Sequence, residues 1–220
     1  MSAPSRPESL PESLPADPLP LLVEWLADAT RLLGEDANPT AMALATAGLD
    51  GAPDARMVLC RGVDALGGAL TFYTDRSSTK GRQLGENPRA AAVFYWDALH
   101  RQLRVRGPIL PTSDAESDAY FESRPFGSKV SASVSLQSRP LESRGDLVRA
   151  HNDLARRLQA TASVERPERW GGFRLWIEEL ELWVGRTDRL HERARFVRKL
   201  ERAGDEYKAT TPWTATRLQP

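Results

Sequence analysis

The sequence predicts a mainly β protein with added helices, a small β-barrel carrying its helices around the outside. Three observations carry this expectation. Six or more short segments have strand character and are separated by tight turns. About three segments have helical periodicity, and they do not alternate with the strands as βαβ units would. No G-x-G-x-x-G follows a strand, so a Rossmann dinucleotide site is not expected.

Residues 1–16 form a Pro/Ser/Glu segment with the duplication PESLPESLP, and six of the sixteen prolines fall in the first twenty residues. Such a composition is expected to be a flexible tail, leaving one domain over 17–220. Asp17 and Pro18 suit a helix start. Leu22, Trp25, Leu26, Ala29, Leu32 and Leu33 then recur at helical spacing, and Gly34 closes the helix. Strands over 42–47 and 56–61 flank Asp50-Gly51, a hairpin turn pair. Residues 69–74 are the next strand, and 82–87 a short helix before Pro88. Residues 89–96 and 101–107 make another strand pair. In the second of these, Gln102, Arg104 and Arg106 alternate with Leu103 and Val105, which puts the polar set on one face. Ser113 and Glu116 form a capping box for a helix to about 123, stopped by Pro125. Ser143 opens another, with Leu147, His151, Leu154 and Leu158 on one stripe. Residues 173–177, 180–184, 189–196 and the last few residues complete the strands.

With 220 residues, 40% hydrophobic and 27% charged, the chain has globular composition. No apolar run is long enough for a membrane span, and no apolar core of a signal peptide stands at the start. The single cysteine, Cys60, excludes a disulfide framework and a Cys-rich zinc site, so the expected compartment is the cytoplasm. Thirty basic residues balance thirty acidic ones, which gives no reason to expect nucleic acid. From residue 56 to 106, however, nine Lys/Arg stand against four Asp/Glu. That excess suits a small anionic ligand, or is a solvated face balanced elsewhere.

No hydrolase, zincin, P-loop or C-x-x-C motif is present. Of the three histidines, His100 adjoins a turn, His151 lies on the helical stripe as a packed residue, and no spacing supports a metal site. Three clusters remain. In RLHER, an extended backbone would put Arg189, His191 and Arg193 on one face, facing an anion or ring, or blunting an exposed strand edge. Tyr120 and Arg124 are four apart on a helix, with Ser128 just beyond; they can hold a phosphate, or the cation can stabilise the helix end. The third is RMVLCR with Tyr73, Thr74, Ser78, Thr79 and Lys80. Arg56 and Arg61 face opposite sides of a regular strand, so they share a site only if Arg61 stands at its end or at a bulge.

Together these residues carry a family resemblance. In order stand DPLPLLVEWL, NPTAMALATA, RMVLCR, FYTDRSSTKGRQL, NPRAAAVFYW, RQLRVRG, YFESRP, SLQSRPL, WGGFRL, ELWVGRTDRLHER and RLQP. The chain resembles the pyridoxamine 5'-phosphate oxidases, FMN enzymes of vitamin B6 metabolism, from about residue 17 to its end. The resemblance implies a split β-barrel that binds FMN at a homodimer interface. It implies that FMN is held by Arg56, Met57, Val58, Leu59, Cys60, Arg61, Tyr73, Thr74, Thr79 and Lys80 of one subunit. Gln102, Gln137, Ser138, Trp183 and Arg193 would come from the other. The phosphorylated pyridine substrate would meet Arg61, Tyr120, Arg124 and Ser128. Arg189 and His191 would be catalytic, lying over the ring, with molecular oxygen as the final acceptor. No metal is implied.

Departures fall on the substrate side: Arg61 and Thr79 replace the family's usual Lys and Arg, and Phe126 with Ser131-Ala132-Ser133 replaces a basic residue and a Gly-Ala-Trp stretch. An Arg-x-x-Tyr element near the family's N-terminus is also missing. Two alternatives follow: an FMN oxidase of the same fold acting on another ring, such as a phenazine precursor, and a non-catalytic flavin-binding protein.

Overall fold

The computed structural model describes residues 9–159 and 163–220, with twelve strands and five α-helices among them. Helix α1 (Leu19–Leu33) begins where Asp17 Oδ1 accepts the Leu19 N–H at 3.0 Å. Leu19, Leu22, Trp25, Leu26 and Ala29 are buried along one stripe. Leu32, expected on that stripe, is 53% exposed because it falls at the stripe's edge in the last turn. Gly34 (φ 76°) closes the helix by donating to the Thr30 carbonyl.

Strands β1 (Ala41–Ala47) and β2 (Pro53–Leu59) form the expected hairpin, in register from Ala41↔Leu59 to Ala47↔Pro53. β2 starts three residues before the expected 56 and stops at Leu59. There the chain changes partners: Cys60 N–H reaches the Thr40 carbonyl, whereas Arg61 N–H reaches Thr71. A short β3 (Gly62–Asp64), not foreseen, then pairs with β4 (Ala69–Asp75). The barrel is split at this exchange. Arg61 lies past the end of β2, so the parity that would have opposed it to Arg56 does not apply.

Helix α2 (Thr79–Glu86) starts three residues before the expected 82, because Ser78 caps it by accepting the Gly81 N–H. β5 (Arg89–Trp96) and the long β6 (Arg101–Pro111) follow. The first half of β6 pairs with β5 and with β8 (Glu179–Val184), and its far end pairs with β7 (Trp170–Trp176). Gly107 sits at this division, where an added Cβ would collide with the Trp176 carbonyl. β9 (Glu192–Val197) and β12 (Thr214–Leu218) complete the order β12-β9-β8-β6-β5-β1-β2, with β3, β4 and β7 branching at β6. β10 (Leu200–Ala203) and β11 (Glu206–Ala209) form a separate hairpin. The main core lies inside the curled sheet under α1, and includes Leu22, Met42, Leu44, Phe72, Phe94, Leu103 and Phe196.

A second cluster of Phe121, Val130, Val164 and Trp170 seats the remaining helices. α3 (Asp114–Glu122) has the full Ser113–Glu116 capping box. Pro125 ends that helical run but also starts α4 (Phe126–Val134), a helix the sequence reading lacked. α5 (Arg144–Leu158) is capped by Ser143 as expected, but none of its residues is buried. His151 is therefore a half-exposed residue near the Gly127 carbonyl (3.3 Å) and not a packed one.

Two further expectations change. Residues 1–8 of the expected tail lie outside the described residues, but Leu10 is 5% exposed and its N–H donates to Glu192 Oε2 at 2.8 Å. The segment from residue 9 to 16 is thus docked, since Leu10 and Leu14 join the main core. Residues 189–196 are not one strand. Asp188 and Arg189 take left-handed conformations (φ 56° and 61°), and β9 begins only at Glu192.

Candidate active site

A cavity of about 710 Å³ opens between β2, β4, α2, α3 and α4. Six consecutive residues of β2, Asp54 to Leu59, line it. Side chains alternate across a strand, so this wall is the backbone edge itself. Among the described residues β2 pairs only with β1, and its other edge is unpaired. Met57, Val58 and Leu59 therefore line the cavity along a row of backbone donors and acceptors. Cys60 is not among the lining residues. It is 5% exposed, its Sγ donates to the Gly62 carbonyl at 3.4 Å, and burial pushes its thiol up to about 11.

Arg56 is held where β1, β2 and α2 meet. Its Nη1 donates to Thr46 Oγ1 (2.5 Å) and the Leu44 carbonyl (3.3 Å), and its Nη2 to Asp54 (2.5 Å) and Gln83 (3.2 Å). Beside it, the amino end of α2 brings Thr79 and Lys80 to the cavity. Lys80 is only 6% exposed. Its Nζ donates to Gln137 Oε1 (2.7 Å), Thr74 Oγ1 (3.1 Å) and Ser78 Oγ (3.2 Å). Burial first, and then the charge of Arg56, lower its pKa to about 8. All three partners are neutral, which leaves the cation without a carboxylate in contact.

The opposite wall is aromatic and cationic. The rings of Tyr73 and Tyr120 stack at 4.0 Å, and Trp170 stacks on Tyr73 at 5.5 Å. The Arg124 guanidinium lies 4.7 Å from the Trp170 ring centre, a cation–π contact. Its Nη1 is buried with no hydrogen-bond partner among the described residues. Burial, with Arg61 also opposing, holds this guanidinium below its usual value. Arg61, Tyr120 and Arg124 all line the cavity; Ser128, on α4, does not.

Gln137 and Ser138 also line this cavity, in the same chain as Lys80. The expectation that they approach from a second subunit is corrected by the Lys80 and Thr74 contacts to Gln137. The other distant residues form a separate group. Gln102, Trp183 and Arg193 are cross-strand neighbours in one row over β6, β8 and β9. Arg193 donates to Glu181 at 2.7 Å and to the Gln219 carbonyl at 3.0 Å. The Trp183 and His191 rings lie 4.7 Å apart. His191 Nδ1 accepts the Arg186 N–H at 3.1 Å, which in the neutral ring leaves the proton on Nε2. Arg189 stands on the exposed left-handed turn beside it. None of these five lines the cavity.

Sequence reasoning missed Asp54, Ala55, Asp75, Ser131, Ala132, Ser135 and Trp170 in the cavity wall. Trp170 carried a signal as the head of WGGFRL. Ser131 and Ala132 carried one as substrate-side departures, whereas Ser135, just past α4, carried none because that helix was not expected from the sequence.

The fold and the cavity define a split β-barrel with a deep pocket bearing two cationic centres, one at α2 and one after α3. Residues 34–154 match the family described as Pyridoxamine 5'-phosphate oxidase, and residues 170–220 match the Pyridoxine 5'-phosphate oxidase C-terminal dimerisation region. A pyridoxine/pyridoxamine 5'-phosphate oxidase from Nitrobacter winogradskyi is 46% identical over 93% of this chain and 90% of its own. One from Rhodopseudomonas palustris strain TIE-1 is 42% identical over the whole of both chains. Among solved structures, PhzG from Burkholderia lata, in complex with tetrahydrophenazine-1-carboxylic acid, superposes with a TM-score of 0.82 at 32% identity, covering 98% of this chain and all of that one. The chain belongs to the pyridoxamine 5'-phosphate oxidase family, an oxidase family, and carries its C-terminal dimerisation region.

Proposed function

We propose that this protein is an FMN-dependent oxidase converting pyridoxamine 5'-phosphate or pyridoxine 5'-phosphate to pyridoxal 5'-phosphate, with oxygen reduced to hydrogen peroxide and, for the amine, water consumed and ammonia released. The observation that carries the reading is Arg124, whose buried Nη1 has no partner in a cavity that also holds buried Lys80. Two cationic centres on different elements suit two phosphates, one of the cofactor and one of the substrate.

The donor set fits FMN. The amino end of α2 with Thr79 and Lys80, near Arg56, suits a phosphate. The free edge of β2 suits the polar rim of a flat heterocycle. When bound, FMN supplies the hydride acceptor. Arg61, Tyr120 and Arg124 would hold the substrate phosphate. In a homodimer, Gln102, Trp183 and Arg193 of the second copy would cover the cofactor, and its Arg189 and His191 would orient the ring and stabilise developing charge. This arrangement is supported by the dimerisation region, which includes all of these except Gln102.

The test is turnover. The purified protein with FMN, pyridoxine 5'-phosphate and air is expected to yield pyridoxal 5'-phosphate and peroxide, and absence of both would refute the reading. A second reading has one observation in its favour. Ser131, Ala132 and Ser135 give the α4 wall small side chains, and the PhzG structure is similar over nearly the whole chain. Oxidation of tetrahydrophenazine-1-carboxylic acid, with none of the B6 phosphate, would select it. Flavin that binds but is never bleached anaerobically by either substrate would indicate a binding protein.

A further inference from the structure

We propose that Arg169 is a positioning residue that holds two walls of the cavity together and acts on the cofactor pocket through Gln137. Arg169 does not itself line the cavity; it stands immediately before Trp170, at the start of β7. Its guanidinium works in two directions. Nε donates to Asp75 Oδ2 at 3.0 Å. Nη2 is shared among the carbonyls of Ala132 (3.0 Å), Ser133 (2.8 Å) and Ser135 (3.1 Å).

Those carbonyls belong to the carboxyl end of α4, where helix geometry leaves acceptors without intrahelical donors and the dipole favours a cation. Asp75 anchors the other wall. Its Oδ1 accepts the Ser77 N–H (2.7 Å) and hydroxyl (2.6 Å), and its carbonyl accepts the Ser78 hydroxyl (2.6 Å). This turn leads directly into α2, and so into Thr79 and Lys80. Two residues beyond Ser135 lies Gln137, which receives Lys80 and Thr74. The contacts close a ring: Asp75, Arg169, Ser135, Gln137, Lys80 and back through the α2 turn.

Without the guanidinium, Asp75 (side chain 7% exposed) loses its ion-pair partner and the α4 end loses its donor. The segment carrying Gln137 is then no longer tied to the wall that carries Lys80. A lysine could reach one arm but not both.

FMN is the probe, so the affinity part of the test rests on the proposed cofactor. Its dissociation constant for the apoprotein is measured by quenching of flavin fluorescence. Arg169→Met is expected to weaken FMN about tenfold or more, and in a Gln137→Ala background the same substitution is expected to cost under about threefold. A constant for Arg169→Met within about twofold of the parent's would overturn the inference, as would an undiminished loss in the Gln137→Ala background. Arg169→Lys is expected to lie between, and decides by the same criteria if the Met variant does not fold. A parent chain that takes up no FMN would sink the cofactor reading instead. Hydrogen exchange then decides this inference alone: amides of residues 135–138 in the apoprotein should exchange faster in Arg169→Lys, and unchanged rates overturn it.

Discussion

Lys80 Nζ lies 2.7 Å from Gln137 Oε1, although the two are 57 positions apart in the chain. The contact joins the start of α2 to the segment after α4, and it satisfies the lysine with an amide oxygen instead of a carboxylate. A buried cation without a contacting counter-charge is costly to keep and ready for an anion.

The pH dependence follows from that cost. Lys80 is depressed to about 8 from an ordinary 10.5, mainly by burial. Between those values the unfolded chain holds a proton that the folded chain lacks, so stability rises with pH through this window. Below about 8 the penalty is fully present. Lys80→Met is therefore expected to melt at an equal or higher temperature at pH 7 as apoprotein, while losing about tenfold or more in FMN affinity. Thermal melts and flavin titration check the two halves separately.

Binding an anion beside Lys80 should restore its proton. FMN binding to the apoprotein near pH 8.5 is expected to take up about half a proton or more. Calorimetry in buffers of different ionisation enthalpy measures this, and Lys80→Met should abolish it.

Arg124 is the cavity's other cationic centre and the proposed seat of the substrate phosphate. Arg124→Met is expected to raise KM for pyridoxine 5'-phosphate about tenfold to a hundredfold and to leave the FMN constant within about twofold. Equal losses in both would show that one pocket, and not two, holds phosphate.

Arg189→Met should leave FMN affinity nearly unchanged and slow anaerobic flavin reduction about a hundredfold or more. Stopped-flow absorbance reads that step directly.

The half-sites can be tested by complementation. In the proposed dimer, Lys80→Met and Arg189→Met damage opposite halves, so a mixed dimer would contain one intact pair. Two weakly active variants exchanged at equal ratio are expected to recover about a quarter of the parent activity. No recovery after verified subunit exchange would place Arg189 in the same chain's cavity.

Much of this was legible from residue types with strong local geometry. Asp50-Gly51 marked its hairpin, Ser113 and Glu116 their capping box, and the alternation in β6 its polar face. The ordered motifs led to most of the cavity wall. What escaped depends on long-range contact or on backbone angles that side-chain identity does not reveal. Pro125 reads as a helix stop, but serves as the start of α4, whose serine-rich stretch has little apolar periodicity. Asp188 and Arg189 are not glycines, so their left-handed conformations were hidden and the RLHER segment looked extended. Leu10 sits in a proline-rich composition typical of disorder, yet a pocket 182 positions away in sequence orders it through Glu192. Arg169 carries no local signal in the sequence, because its four acceptors come from two other elements.

The docked segment from Ser9 onward also has a practical side. Ser9 contacts Arg186, Leu10 contacts Glu192, and Arg217 donates to the carbonyls of Pro11 and Glu12. Arg186 is also the donor to His191. Residues 9–12 and the strand that carries Arg217 thus crowd the ground beside the RLHER turn, and a label attached at any of them would sit there. A fluorophore or purification handle belongs instead at Leu66, a 96% exposed turn residue between β3 and β4 that takes no part in those contacts.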